Sequence, residues 1–230
     1  MPDLETFQNI LGVTFKEPSY LRQALTHSSY INENPAFVSN ERLEFLGDAV
    51  LGLVIAERLY ADKESATEGE LTRLRATLVS REGLVRVARS INLGAHLYLG
   101  KGEELRGGRL KPANLAGALE AVIAAIFLDQ GLGVARSLIL GLFEAEIQRV
   151  MKEKKVVDCK SELQEITQSR YQCTPVYRLV SESGPSHDRV FTVEVVIGDS
   201  VVGRGSGKNK KEAETEAARE ALERLLKGKY

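Results

Sequence analysis

The spacing of apolar residues changes near residue 150, and this change divides the chain into two parts. Before it, apolar residues recur every three or four positions in segments 40–61, 68–91, 114–129 and 134–150, which is the period of amphipathic helices. After it, β-branched runs and a closing Ala-rich segment predict strands followed by a helix. The sequence therefore predicts an all-α domain followed by a small α+β domain.

The second part follows the order α-β-β-β-α. Its expected elements are a first helix, three strands and a last helix, at 161–170, 176–181, 190–197, 200–203 and 210–226. Segment 151–157 begins Met-Lys-Glu-Lys-Lys and offers few apolar anchors, which predicts a linker or a frayed helix end. The predicted domains are therefore 1–150 and 158–228.

Composition excludes several classes of protein. The chain has 230 residues, of which 43% are apolar and 27% are charged, so wholesale disorder is excluded. Segment 90–100 is the longest without Asp, Glu, Lys or Arg, well short of the roughly 20 apolar residues that span a membrane. Cys159 and Cys173 alone form neither a disulfide framework nor a four-ligand zinc site. We expect a cytoplasmic protein with no membrane partner.

Charge alone gives little indication of a partner. Residues 1–150 carry 16 Lys and Arg against 19 Asp and Glu, and residues 151–230 carry 15 against 13. Because this asymmetry is small, only local clusters of charge can indicate a polyanionic ligand.

Acidic residues occur in two helices that are otherwise apolar. At 100° per residue, Glu41, Glu44 and Asp48 fall within an arc of about 60° on one helix face. Glu120 is the sole charge between residues 112 and 128. Carboxylates embedded in apolar helices are costly, and a divalent cation such as Mg²⁺ would relieve both the burial and the mutual repulsion.

Other interpretations stay open at this stage. The acids could instead cap helices or form ion pairs with Arg42, Arg73 or Arg75. His27 and His96 have no Ser, Cys or Asp partner at a catalytic spacing, which favours structural roles. The Gly-rich segment 100–108 predicts a surface loop, because it lacks the Gly-Lys-Ser/Thr sequence of a phosphate-binding loop.

A twelve-residue run resembles the signature of bacterial ribonuclease III, namely Asn-Glu-Arg-Leu-Glu-Phe-Leu-Gly-Asp-Ala-Val-Leu at 40–51. Segments 24–29, 68–76 and 119–129 match the same family in the same order. The resemblance implies a homodimer that hydrolyses double-stranded RNA with Mg²⁺, for which Mn²⁺ substitutes. It also implies products with 5′-phosphate and 3′-hydroxyl ends, and the processing of ribosomal RNA precursors and other structured RNAs.

The resemblance also implies roles for single residues. Glu44 and Glu120 would be metal ligands, and Asp48 and Glu120 would be the catalytic acids of the same cluster. The accessory acids would be Glu41 and Glu68, and the aromatic residue at the dimer interface would be Phe45.

One position departs from the family pattern. The family has a metal-binding Asp three residues before the second-helix Glu, whereas this chain has Gly117 there. An alternative function is therefore a double-stranded RNA-binding protein whose cleavage is weakened or lost.

A lysine cluster marks the start of the last helix. Lys208, Lys210 and Lys211 lie where the helix dipole favours negative charge, which makes sense if an anion docks there. A solvated run of charges is the alternative. The surrounding pattern resembles the double-stranded RNA-binding domain, which implies that Gln164 and His187 face minor grooves and that the lysines grip phosphates.

Overall fold

The structure, a computed structural model, describes residues 3–62, 66–185 and 189–226. The chain divides into two compact units, Met1–Val150 and Met151–Tyr230. The first unit is helical, and the second combines helix with three antiparallel strands. The predicted fold class is confirmed.

The helices of the first unit follow one another with short connections. In chain order they are α1 Leu4–Leu11, α2 Pro18–Ala24, α3 Ser28–Ile31, α4 Glu41–Asp62, α5 Glu68–Leu78, α6 Arg81–Ser90, α7 Lys101–Leu105, α8 Pro112–Gln130 and the start of α9 Leu132–Tyr171. Two single 3₁₀ turns, Leu93–His96 and Gly108–Leu110, flank α7.

Helix α8 forms the centre of the first unit. Its residues from Leu115 to Ile126 are buried except Glu120, and α4 packs along it. By length and composition alone α8 could cross a membrane, contrary to the expectation from charge spacing, but 61% of that stretch is buried in the protein. This burial is what a core helix requires.

The segment 68–91, in which apolar residues recur with the helical period, forms two helices. Thr67 caps α5 through a reciprocal capping box with Glu70. The chain then breaks at Ser80, which has extended backbone angles and whose side chain accepts a hydrogen bond from the Gly83 N–H. A Cβ at position 83 would lie 2.3 Å from the Leu78 carbonyl oxygen, so this tight junction requires glycine.

The Gly-rich segment 100–108 is not the loop that the sequence predicts, because it contains α7. Glu33 accepts a hydrogen bond from the Lys101 N–H at the start of this helix. Glu103 binds Lys111 and Asn114, and so ties α7 to the first turn of α8. These polar contacts with residues outside α7, rather than local propensity, stabilise helix among the glycines.

The segment 151–157, predicted as a linker or a frayed helix end, has a helical backbone and lies within α9. The segment contains Met, Lys and Glu but neither Gly nor Pro. Such residues have high helix propensity, which is consistent with a helical backbone through this segment.

The second unit is a three-stranded sheet covered by helices. The strands β1 Val176–Ser183, β2 Val190–Ile197 and β3 Ser200–Gly207 pair antiparallel in the order β1-β2-β3, and α10 spans Lys210–Leu226. Strand β3 runs past the predicted end because its glycines lie against α10. A Cβ at Gly205 would lie 2.2 Å from the Ala217 nitrogen, so the close sheet–helix packing requires a residue without a side chain.

A buried carboxylate is a measurable source of stability in the first unit. Glu146 has a side chain only 5% exposed, and its oxygens accept hydrogen bonds from Arg86 and Arg149. Burial alone would raise the pKa of Glu146, but hydrogen bonds from Arg149 and then Arg86 outweigh it and lower the pKa to about 2. The charged form is therefore stabilised by folding.

We expect Glu146→Gln to lower the free energy of unfolding at pH 7 by about 3 kcal/mol. Because the folded pKa of Glu146 lies below its ordinary 4.5, this stability is present above pH 4.5 and is lost as the pH falls toward 2. Urea titrations across that range should show the two proteins converging at low pH. Glu144→Gln, which alters an exposed acid on the same helix, should change little, and a constant difference at every pH would contradict the account.

Candidate active site and nucleic-acid interface

Close packing of α4 on α8 brings the acids of both helices together. A Cβ at Gly47 would lie 1.8 Å from the backbone oxygen of Glu120, so only glycine permits this approach. Gly47 lies between Glu44 and Asp48 in sequence. The contact therefore places the acids of α4 beside Glu120, the single acidic residue predicted as a ligand on α8.

The three carboxylates Glu44, Asp48 and Glu120 are electrostatically coupled. Burial, followed by the charges of Asp48 and Glu44, raises the pKa of Glu120 to about 7. Partial burial and then the charge of Glu41 raise the pKa of Glu44, while His27 opposes that rise. These carboxylates repel one another strongly enough to favour either a proton or a cation among them.

The alternative of structural ion pairs is not supported. Within the described ranges, no hydrogen bond or ion pair engages the carboxylates of Glu44, Asp48 or Glu120, so Arg42, Arg73 and Arg75 do not neutralise them. The expectation that the acids are embedded among apolar residues is correct only in part. Glu120 is half-buried, whereas Glu44 and Asp48 lie on the exposed face of α4.

The two predicted accessory acids lie apart from each other. Glu41 is exposed at the start of α4 and accepts a hydrogen bond from the Ser39 hydroxyl at 2.9 Å. Its charge acts on Glu44. Glu68 is exposed at the start of α5, where it accepts a hydrogen bond from the Thr72 hydroxyl at 2.9 Å. Nothing in the described part of this chain joins Glu68 to the cluster.

The chemistry of the donor set fits a hard divalent cation. Carboxylate oxygens are the ligands that Mg²⁺ prefers, and these carboxylates have no other partner among the described residues. In the same part of the chain, however, no three His, Cys, Asp or Glu side chains are arranged to hold a metal ion by themselves. Because Mg²⁺ commonly retains several waters, the fit is to a partly hydrated ion.

Sequence analysis did not identify two residues that shape this region. One is Gly47, whose only sequence signal is a glycine inside an apolar helix. The other is the side chain of Arg109, which donates to the carbonyl oxygens of Gly94, Ala95 and Leu97. It fixes the segment before α8 and has no local sequence signal.

His27 and His96 each have a packing or capping contact. The Nδ1 atom of His27 accepts a hydrogen bond from the Ser29 N–H at the start of α3. The ring of His96 is buried and stacks on Phe7, with 4.5 Å between ring centroids. Neither contact is with the carboxylate cluster.

The lysine cluster surrounds the start of α10. Lys208, Lys210 and Lys211 are exposed, and none forms an ion pair with any residue that the structure describes. The Asn209 side chain accepts a hydrogen bond from the Glu212 N–H, which caps the helix. The lysines therefore remain available to an external anion.

The remaining predicted RNA contacts lie on other elements of the second unit. Gln164 is exposed on α9, one residue after Leu163, which is fully buried in the core of this unit. His187 lies outside the described residues. Arg204, just before the lysines, is engaged in an ion pair with Glu194 at 2.9 Å.

Comparison with known proteins identifies the two units. Residues 17–147 match the family described as Ribonuclease-III-like, and residues 159–225 match the double-stranded RNA binding motif. The Ribonuclease 3 of Dehalococcoides mccartyi strain CBDB1 is 55% identical over 227 residues, which cover 98% of this chain and 96% of that protein. The chain belongs to the ribonuclease III family.

Two further ribonuclease III proteins agree with this assignment. The Ribonuclease 3 of Pseudothermotoga lettingae is 46% identical over 95% of this chain and 94% of its own length. The solved nuclease domain of ribonuclease III from Campylobacter jejuni, reported with structural flexibility in a region involved in dimer formation, is 41% identical with a TM-score of 0.59. The matched region covers 62% of this chain and 97% of that domain.

The family and the domain pair establish the activity at the level of reaction class. This ribonuclease III is an endoribonuclease that acts on double-stranded RNA. The alternative of an RNA-binding protein without cleavage is not favoured, because relatives matching nearly the whole chain are named as ribonucleases.

Proposed function

We propose that this ribonuclease III cleaves double-stranded RNA with Mg²⁺ bound between α4 and α8, and that Mn²⁺ can substitute. The observation that carries the proposal is the coupled cluster of Glu44, Asp48 and Glu120, whose carboxylates lack hydrogen bonds and ion pairs within the described residues. Such a cluster favours a divalent cation, which can activate water for phosphodiester hydrolysis at neutral pH.

Each acid has a distinct part in this proposal. Glu44 and Glu120 would hold the cation from opposite sides of the α4–α8 contact. When bound, the cation supplies an activated water and neutralises charge on the scissile phosphate. Asp48 adds negative charge beside Glu120 and is proposed as a catalytic residue with it. Glu41 and Glu68 are proposed as acids near the RNA rather than as ligands.

The second unit would bind the duplex. Such domains contact two successive minor grooves and the intervening phosphates, and they recognise A-form shape rather than sequence. We propose that Lys208, Lys210 and Lys211 bind phosphates and that Gln164 and His187 face minor grooves. The substrates would be ribosomal RNA precursors and other structured RNAs of the cytoplasm.

A test of this proposal is the metal dependence of cleavage together with the chemistry of the product ends. We expect cleavage to require Mg²⁺ or Mn²⁺ and to leave 5′-phosphate and 3′-hydroxyl ends. Cleavage in the presence of a chelator, or 2′,3′-cyclic phosphate products, would exclude hydrolysis at a metal site.

Exposed apolar residues on α4 favour a homodimer. Phe45, Leu53 and Tyr60 are 81%, 55% and 76% exposed, although large apolar side chains on one helix are normally covered. The dimer formation reported for the Campylobacter jejuni nuclease domain suggests that a second copy of this chain covers them. Each subunit would then contribute one cleavage centre, one for each RNA strand.

We expect Phe45→Asp to raise the dimer dissociation constant about thirtyfold or more, because loss of an aromatic anchor buried in an interface commonly costs about 2 kcal/mol or more. Sedimentation velocity across a range of concentrations measures the change. Leu105→Asp is the matched control, since Leu105 is 89% exposed on α7 and its replacement should leave the dimer intact. A monomeric parent protein, or equal behaviour of both variants, would contradict the assignment of Phe45 to the interface.

A further inference from the structure

The carboxylate of Glu44 lies directly over Gly117, across the contact between α4 and α8. A Cβ at position 117 would lie 2.4 Å from Glu44 Oε2, 2.7 Å from Cδ and 3.0 Å from Oε1. All three distances are shorter than van der Waals contact. The Glu44 carboxylate therefore occupies the volume that any side chain at position 117 would need.

The two close contacts of this interface differ in their ability to adjust. Gly47 meets the backbone of Glu120, which cannot move without shifting a helix. The three atoms nearest to a Cβ at Gly117 all belong to the end of the flexible Glu44 side chain. A glycine inside a helix is unfavourable relative to alanine, yet the contact at Gly117 does not require glycine for the backbone to fold. Its steric consequence is the position of Glu44.

We propose that Gly117 and Glu44 act as a pair in cation binding. Gly117 leaves a space, and the Glu44 carboxylate fills it from α4, so that Glu44 supplies the oxygen ligand that a carboxylate at 117 would supply from α8. Positions 117 and 120 are one helical turn apart, so the filled space lies beside Glu120. This inference rests on the metal site proposed above.

The pairing predicts opposite effects for two substitutions at one position. Gly117→Ala adds a methyl group that displaces the Glu44 carboxylate and offers no ligand in return. Gly117→Asp displaces it equally but adds a carboxylate in the same space. Both replace a helical glycine, so a change in helix propensity cannot by itself produce opposite results.

The experiment measures Mn²⁺ binding to the full-length protein without RNA, by the electron paramagnetic resonance signal of free Mn²⁺. We expect Gly117→Ala to raise the dissociation constant about tenfold, the equivalent of one lost charge-assisted contact. Gly117→Asp should bind at least as tightly as the parent. Gly141→Ala is the control, because nothing lies within 4 Å of a Cβ at that position on α9.

A second variant tests the pairing without adding a side chain to the contact between α4 and α8. Glu44→Gln removes the charge without adding volume, and it should weaken Mn²⁺ binding strongly in the parent but little when combined with Gly117→Asp. Equal losses in both backgrounds, or parental binding by Gly117→Ala, would overturn the pairing while leaving the metal site in place. A parent that binds no Mn²⁺ would overturn the proposed metal site itself, and the pairing with it.

Discussion

Glu120→Gln is expected to reduce cleavage of duplex RNA about a hundredfold or more while leaving duplex binding nearly unchanged. The substitution keeps the volume of the side chain but removes the charge that the cluster presents to a cation or to a developing transition state. Binding should persist because the lysine cluster lies in the other unit. Asp48→Asn should have a similar effect for the same reason.

Single-turnover cleavage and equilibrium binding of the same RNA separate these two effects. The matched control is Glu57→Gln, which alters an acid on α4 that already forms an ion pair with Arg136 at 3.0 Å. This control should cleave at the parental rate. If Glu120→Gln and Asp48→Asn also cleave at that rate, the carboxylate cluster is not the active centre.

The second large effect is expected in RNA affinity. Lys210→Ala combined with Lys211→Ala should weaken binding about equally for duplexes of different sequence. The slope of log K against log salt should fall by about two, since each lost phosphate contact releases roughly one counterion fewer. Fluorescence anisotropy titrations at several salt concentrations measure both quantities.

Two arginines later on α10 provide the control for this charge change. Arg219 and Arg224 form ion pairs with acids on their own helix. Replacing both with Ala removes the same number of positive charges as the lysine variant. We expect a small loss of affinity and an unchanged slope. An unchanged slope for the lysine variant would mean that Lys210 and Lys211 are solvated charges without RNA contact.

Apolar periodicity predicted the elements that pack along their whole length. Helix α4 begins at Glu41, one residue after the predicted start, and α10 has the predicted bounds. In such elements the buried face repeats with the helical period, so the pattern in the sequence is a direct consequence of the packing. The acids of the candidate site could be recognised in the sequence because they are charged residues within these otherwise apolar segments.

Features that depend on contacts between distant residues could not be predicted from periodicity. The Gly-rich segment before α8 is partly helical because Glu33, far away in sequence, accepts a hydrogen bond from the Lys101 N–H, and because Glu103 binds Lys111 just before α8. Strand β3 continues through Gly205 because α10 approaches it closely. In each case the glycines in the local sequence predict a turn. Only the tertiary contact explains why the backbone there is helical or extended instead.

The same limit applies to the candidate site. The sequence places Glu44, Asp48 and Glu120 on helix faces, but it cannot indicate how closely two helices approach. That distance depends on Gly47, whose Cα faces the backbone of Glu120. The position of Glu44 over Gly117 follows from the same approach, and so could be recognised only in three dimensions.

Cleavage of a plain RNA duplex by the unmodified protein tests the central claim most directly. A duplex of about 30 base pairs is long enough, since one RNA-binding domain of this kind spans roughly 16. With Mg²⁺ we expect internal cleavage of both strands, and no cleavage of either strand alone or of the corresponding DNA duplex. Equal cleavage of single strands, or tight binding of the RNA duplex without cleavage at any Mg²⁺ concentration, would contradict a double-strand-specific endoribonuclease.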